Sequence, residues 1–570
     1  MSTLHREEQR EEQREEGNKG SDVYSSTGDP RLDLSVNCVR NVAPEKLDAI
    51  MNAILALDTP QALEDAFVLA FHARNIRGGK GERDIFQTLF QTLYIKKPTI
   101  AQKCLPLISH YGCWKDLFEF AESAPDVAEH ILSLTVEQFN KDMATPEGQS
   151  ISLLAKWAPR ESKYPQLMKS LAYMMYPTVK FHSSKMKVYR KMVSRLNARL
   201  NTVEILMCDD RWDEIKPETV PGRAGKLYSR AFLNLPSTHK DINDALRNTL
   251  VYRKPDDSKR MACREHFTEH YAKAAEGKAK VHGAATLFPH EVVKQVLQNN
   301  QTDDEKNHVR GVWCGFVEKL QKAGGLGRSI FMSDFSGSMQ SSSAGDTPYW
   351  VSMALGILGS ETCTEEFKNK LMTFDSTPQW HTFPEGADIF DKVQSIQRSG
   401  AGVGLSTDFQ KAMDLVLETL KTRRVRPGQE PENLIVLTDM NWDAACGSSA
   451  ASHFTGNRYR HVVKTEGWQT HVEMIQEAFK RAGEDMWGAG KGFVPPRIVI
   501  WNLAASSQTD YHAQADVPGV AMLSGWSPTQ FEVLQKDGPR QLTAMEILRL
   551  ELDDAKYDSV RHIVREATAV

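Results

Sequence analysis

The sequence predicts a chain in two parts, a long stack of α-helices followed by a doubly wound α/β domain. Three observations lead to that expectation. From about residue 35 to 300, apolar residues recur at helical spacing. From about 325 onward, short apolar runs that read as strands alternate with helical patterns. One of those runs, Ile330-Phe331-Met332, leads directly into Asp334-Phe335-Ser336-Gly337-Ser338, which sets an aspartate and two serines at alternate positions just past a strand end.

The helical part is read stripe by stripe. Leu47, Ile50, Met51, Ile54 and Leu55 lie on one helical face, Ala62, Leu63, Ala66, Phe67, Leu69 and Ala70 on a second, and Ile85, Phe86, Leu89, Phe90 and Leu93 on a third. Breaks such as Asp58-Thr59-Pro60 and Gly78-Gly79-Lys80-Gly81 separate them. Successive helices joined by short breaks suggest a HEAT-like α-solenoid, although no repeat recurs at one fixed period. The first 30 residues open with Arg6-Glu7-Glu8-Gln9-Arg10-Glu11-Glu12, which can bury almost nothing and reads as a disordered charged tail.

In the second part, 329–333, 370–375, 433–438, 497–502 and 518–523 read as strands. Tyr349–Ser360, Asp388–Gln397, Asp408–Lys421 and His471–Ala482 carry helical periodicity between them. Such alternation implies a largely parallel, Rossmann-like sheet covered on both faces, with ligands at the carboxyl ends of its strands. The expected boundaries are 1–30 for the tail, 35–310 for the helical domain and 325–570 for the α/β domain.

Composition narrows the function classes. With 570 residues the chain is long enough for about two to four domains. Its 41% hydrophobic and 25% charged content are ordinary for a globular protein, and a net charge of −4 points to no polyanion partner in bulk. None of the eight cysteines forms a C-x-x-C pair, so free thiols in a reducing compartment are expected. No apolar run approaches the roughly 18 residues that span a bilayer, and no apolar signal core follows the N-terminus. A cytoplasmic protein without a membrane partner is the expectation.

The chemistry concentrates in oxygen ligands. Ser336, Ser338 and Thr407 offer hydroxyl oxygens, while Asp334 and Asp439 bind a cation directly or through water. Two carboxylates roughly neutralise a divalent charge, which suits Mg²⁺ first and Mn²⁺ or Ca²⁺ as alternatives. An open coordination position would accept an acidic side chain from a protein partner. A Mg²⁺-dependent hydrolase using Asp334 and Asp439 is the competing reading. A haloacid-dehalogenase arrangement needs a second aspartate two residues on as general acid, and Ser336 stands there. No G-x-S-x-G elbow surrounds Ser336, and Arg77-Gly78-Gly79-Lys80-Gly81 lacks P-loop spacing. His266-Phe267-Thr268-Glu269-His270 matches a short zinc-protease pattern without a third ligand, so a polar helix face is preferred there.

Basic clusters supply the nucleic-acid candidates. Lys185, Lys187, Arg190, Lys191, Arg195 and Arg199 fall in an acid-free stretch, with Tyr189 as a base-stacking ring. Arg74, Arg77, Lys80 and Arg83 form a second cluster beside glycines that permit close approach of a ligand, although a helix corner held by arginine hydrogen bonds explains them as well. Lys421, Arg423, Arg424 and Arg426 suit a helix C-terminus and read as structural.

Several of these segments resemble known families. Asp334, Ser336, Ser338, Thr407 and Asp439 together look like the metal-ion-dependent adhesion site of a von Willebrand factor A-like domain, with Met440 where such domains commonly carry glycine. Phe71–Asp84 and Ile108–Leu117 resemble the arginine-glycine junction and the Tyr-Gly-x-Trp-x-Asp segment of TROVE modules of the Ro autoantigen type. Ile151–Glu161, Phe288–Glu291 and Thr438–Asp443 resemble the family called domain of unknown function 2828, which pairs a TROVE-like helical part with an A-type domain. The resemblance spans about residues 30 to 560. It implies a curved or ring-like architecture and a possible RNA partner, and it brings no established activity. The expected function is a non-enzymatic binding scaffold, a ribonucleoprotein component holding RNA or protein, with cation-dependent binding by the A-type domain. A purely structural assembly protein is the further alternative.

Overall fold

In this computed structural model the described residues are 13–16, 22–236, 252–298, 301–340, 346–364, 367–374, 378–399, 409–441, 471–506, 508–537 and 542–569. The N-terminal part is mostly helical. Helices Pro30–Asn37, Pro44–Leu55, Pro60–Arg74, Pro98–Tyr111, Pro125–Ala144 and Pro165–Met175 each open on a proline. Proline suits that position, because its fixed φ fits a helix and its missing N–H would have had no partner in the first turn. The same residue disfavours helix in the position before it, so each proline also separates one helix from the last. Asp29 and Thr59 cap two of these helices by accepting backbone N–H groups.

Two short strands, β1 (Arg14–Glu16) and β2 (Asp22–Tyr24), pair antiparallel, and Tyr24 bridges to Tyr511. Val23 and Tyr24 are buried. The expected solvated tail therefore does not extend through residue 30; its first twelve residues lie outside the described set.

The C-terminal part is a six-stranded mixed sheet of β3 (Ser329–Asp334), β4 (Lys370–Phe374), β5 (Trp380–Thr382), β6 (Asn433–Thr438), β7 (Arg497–Asn502) and β8 (Val520–Ser524), in spatial order β5-β4-β3-β6-β7-β8. All neighbours are parallel except the edge pair β4/β5. The five expected strands are present, and β5 was not anticipated: three residues are too short to show a period. Counted within the sheet, the order is the 3-2-1-4-5-6 arrangement of doubly wound folds. Side chains alternate between two cores. Ile330, Met332, Leu434, Val436, Ile498 and Ile500 join Met413, Val416 and Phe479 of helices Phe409–Thr422 and His471–Trp487 on one face. Phe331, Ile435, Leu437, Val499 and Trp501 meet Val351, Leu355, Val393 and Phe531 on the other. Burial on both faces explains why these strands read as unbroken apolar runs.

The two parts share a core. One continuous cluster runs from Leu32 and Phe71 through the sheet to Tyr557 and Val564. Helices Ala544–Leu552 and Asp558–Thr568 return to pack on helices 60–74 and 98–111: Arg549 and Arg31 both bind Asp65, and Arg565 binds Glu64. Tyr557 meets His72 Nδ1 at 3.0 Å, and Tyr111 donates to the Lys556 carbonyl. Lys80 is enclosed where the helical part meets the end of β8. Its ammonium donates to the carbonyls of Ser35 (3.0 Å) and Ser524 (3.1 Å) and to the Ser524 hydroxyl (2.6 Å). Gly79 is required beside it, because a Cβ there would lie 2.2 Å from the His72 carbonyl oxygen. Among the described residues no helix is long and apolar enough to cross a membrane.

Two outcomes follow for stability. Lys80→Met removes the ammonium that donates to the Ser35 and Ser524 carbonyls at a buried seam, and urea unfolding is expected to show a loss of about 2–4 kcal/mol. Burial holds the His308 imidazole, packed on Tyr271, down to about 4. The unfolded chain takes up that proton below about 6.5 while the folded chain does not, so folding stability falls as pH drops from about 6.5 toward 4. Unfolding curves across that window should flatten by close to one proton in His308→Gln.

Candidate cation site at the carboxyl edge of the sheet

Strands β3 and β6 are neighbours, and the chain leaves β3 toward β4 on one side while β6 leads to β7 on the other. This reversal of strand order is the topological switch point at which doubly wound sheets bind ligands. Asp334 ends β3, and Asp439 follows directly on β6, so both carboxylates reach this edge. Ser336 and Ser338 lie on the turn after β3, which tightens into a 3₁₀ turn at Gly337–Gln340.

Asp334 is fully buried. Its Oδ1 accepts the Ser336 N–H at 2.8 Å, and its Oδ2 accepts the Thr438 hydroxyl at 3.0 Å. The Ser336 and Ser338 hydroxyls are 3.0 Å apart. Ser336 is buried and Ser338 exposed, so the hydroxyl pair leads from the floor of the crevice to solvent. Asp439 is also buried, and its Oδ1 accepts the Asn441 N–H at 3.0 Å. Burial, followed by the nearby Asp439 charge, pushes the Asp334 carboxyl well above its usual range. Among the described residues no lysine or arginine pairs with either aspartate. Among the described residues the site is therefore a buried pair of acids with hydroxyls beside it and no cationic side chain paired to either.

Met440 takes the left-handed backbone conformation, φ 67°, that glycine normally supplies. Its N–H donates to Thr438 Oγ1 at 3.1 Å, and its carbonyl accepts His512 Nε2 at 2.9 Å. His512 is fully buried and follows Tyr511, the residue bridged to Tyr24. The β1/β2 ribbon thus anchors the segment that fixes the loop behind Asp439. Sequence reading missed Thr438 and His512. Thr438 stands beside a recognised aspartate and was within reach, whereas His512 is far from it in sequence and carries no local signal.

Thr407 lies outside the described residues; Asp334, Ser336, Ser338 and Asp439 all lie at this edge of the sheet. Among the described residues no three His, Cys, Asp or Glu side chains converge as a metal-binding group; the shell of a cation here would depend on hydroxyl oxygens as well as the two carboxylates. Glu269 of the zinc-protease-like pattern pairs with Lys273 on an exposed face.

The basic candidates divide sharply. Arg74 is buried against Asp116 at 2.7 Å, and Lys80 is sealed at the seam, so neither is a surface cation. Arg77 is exposed and donates to the His110 carbonyl. On helix His182–Leu200, Tyr189 is buried with its hydroxyl on the Pro159 carbonyl, which rules it out as a free stacking ring. Lys185 is buried with its ammonium on the Tyr176 and Pro177 carbonyls. Arg199 is tied to the Asp142 and Pro146 carbonyls. Lys187, Arg190, Lys191 and Arg195 remain exposed.

Asp439→Asn removes one of two like charges held together out of water. In the presence of a chelator, thermal unfolding is expected to show this variant stabilised over the parent by about 1–2 kcal/mol.

Residues 328–564 match the model of a family described as "Domain of unknown function (DUF7788)", a designation other than the 2828 that the motifs suggested. The chain is 25% identical over 534 residues to "Uncharacterized protein L728" of Acanthamoeba polyphaga mimivirus, covering 89% of this chain and 82% of that protein. A crystal structure of the Deinococcus radiodurans Ro (RSR) protein aligns with 90% of this chain and 99% of its own, at a TM-score of 0.41 and 14% sequence identity.

Proposed function

We propose that this chain is a non-enzymatic binding scaffold whose C-terminal part, a von Willebrand factor A-like domain, holds one divalent cation and offers it to an acidic group on a partner. Asp334, Ser336, Ser338, Thr407 and Asp439 would hold the ion, with Mg²⁺ the best match to an all-oxygen set carrying two charges. The observation that carries this reading is the buried Asp334–Asp439 pair, to which no lysine or arginine among the described residues is paired. Burying two carboxylates together is costly, and a divalent ion offsets both charges at once. When bound, the ion supplies an electrophilic position at the crevice mouth. The chain's own residues do the rest: Thr438 orients the Asp334 carboxylate, and the Ser336–Ser338 hydroxyl pair lines the way to solvent. Binding is preferred over hydrolysis because Ser336 stands where a general acid would be needed.

A second reading is carried by a different observation. Lys187, Arg190, Lys191 and Arg195 share the exposed side of helix 182–200, which supports RNA as a ligand of the helical part.

Titration with Mg²⁺ against a chelator tests the first reading. The parent should gain about 2.7 kcal/mol at a hundredfold excess over Kd, while Asp334→Ala and Asp439→Asn gain little. An unchanged parent overturns it, and Mg²⁺-dependent phosphatase or nuclease turnover that Asp334→Ala abolishes replaces it with the hydrolase. For the second reading, salt-dependent RNA retention should be lost when Lys187, Arg190 and Arg195 are reversed to glutamate.

A further inference from the structure

Between Glu161 and Glu204 the chain carries nine lysines and arginines and no acid, within a protein of net charge −4. Helices Pro165–Met175 and His182–Leu200 form an antiparallel pair across this segment, joined at a tip of residues 176–181. That tip concentrates exposed apolar surface: Phe181 is 72% exposed, Tyr173 43% and Met174 41%. Isolated exposed apolar residues are ordinary, but three together at the end of a basic hairpin mark a contact surface.

The tip is held in shape. The buried Lys185 ammonium caps the Tyr176 and Pro177 carbonyls and lies 5.1 Å from the Tyr173 ring centroid. The Tyr173 hydroxyl meets His182 Nδ1 at 3.2 Å, and the two rings sit 5.9 Å apart. A ring presented on a fixed backbone loses less entropy on binding than one on a mobile loop.

Cations continue from this tip along one line. Lys187, Lys191 and Arg195 are spaced four residues apart, on the side of the helix opposite Met186, Tyr189, Val193 and Leu196, which are buried. At 1.5 Å rise per residue each step is about 6 Å. Arg195 has only a solvated contact with Glu147 at 3.7 Å, and Arg190 pairs with Glu161 at the surface. Such exposed pairs are weak and exchange readily for phosphate. A row of charges along a helix suits a linear polyanion, whereas a lipid surface would be met by a tip whose charges ring it.

We infer that the hairpin 165–200 is a platform for single-stranded RNA, on which Phe181 and Tyr173 stack unpaired bases and Lys187, Lys191 and Arg195 track the phosphates. This rests on the RNA reading above and relocates its aromatic element from Tyr189 to Phe181. Single strands are specified because only unpaired bases expose faces to a ring, and stacking of this kind tolerates any sequence.

The test is fluorescence anisotropy of the full chain with a labelled mixed-sequence RNA of about 16 nucleotides, single-stranded or annealed to its complement. Phe181→Ala should weaken single-strand binding by about tenfold and leave duplex binding nearly unchanged, with Phe181→Trp restoring it. Lys187→Glu with Lys191→Glu should weaken both and lower the single-strand salt slope by about 1.4. If Phe181→Ala binds single strands like the parent while charge reversal abolishes binding, the platform is refuted and the RNA reading stands. If the parent retains neither RNA, both fall. Phe181-dependent binding to phosphatidylserine vesicles with RNA affinity unaffected would also overturn the platform and assign the tip to membrane contact.

Discussion

The fold turns on a single buried ammonium. Lys80 sits where the helical part meets the carboxyl end of β8, donating to one carbonyl from each side and to the Ser524 hydroxyl. Desolvation lowers its affinity for a proton, so the position is tenable only because three oxygens receive it. Around it, Asn502 donates to the Val36 carbonyl, Thr529 to the Gly79 carbonyl, and Arg40 lies between the Phe288 and Trp526 rings while pairing with Glu82. The Lys80, Asn502, Thr529 and Arg40–Trp526 contacts cross from one part of the chain to the other, so the orientation of the helices over the sheet is specified by directional polar contacts as well as by apolar burial.

That orientation matters because the helical part covers the same edge of the sheet that carries the acidic pair. Residues 34–40 lie over the ends of β7 and β8, while Asp334 and Asp439 lie at the ends of the adjoining β3 and β6. Among the described residues Ser338 is the exposed member of the set, while Asp334, Ser336 and Asp439 are buried. Behind it, the β1/β2 ribbon, Tyr511 and His512 fix the unusual Met440 backbone. The acidic pair is thus preorganised from both parts of the molecule, with its carboxylate oxygens held by N–H and O–H donors.

Much of the sheet was legible from residue patterns. Strands buried on both faces are continuous apolar runs, and the seams between them are marked by the helical periodicity of the crossovers. Asp334 and Asp439 were legible because the carboxyl end of a parallel strand is a predictable place for a ligand-binding side chain. The short edge strand β5 was not, since three residues carry no period. The fate of the basic residues was also hidden. Arg74 and Lys80 look like Arg77 in the sequence, yet two are interior and one is exposed, depending on Asp116 and on the strand end at Ser524. Tyr189 and Phe181 look equally suited to stacking, but one tyrosine hydroxyl finds the Pro159 carbonyl in the core while Phe181 lies outside the helix on its N-terminal side.

By itself the sequence determined the local periods, the proline-started helices, the doubly wound alternation and the two acids at strand ends, because each depends on neighbours within a few residues. Tertiary structure alone decided which cations face solvent, that the C-terminal helices return to the N-terminal ones through Asp65 and Glu64, and that His512 braces the loop after β6. Those choices join residues tens to hundreds of positions apart, and burial, which sets whether a charge is a ligand or a strut, is a property of the packed chain and not of any segment of it.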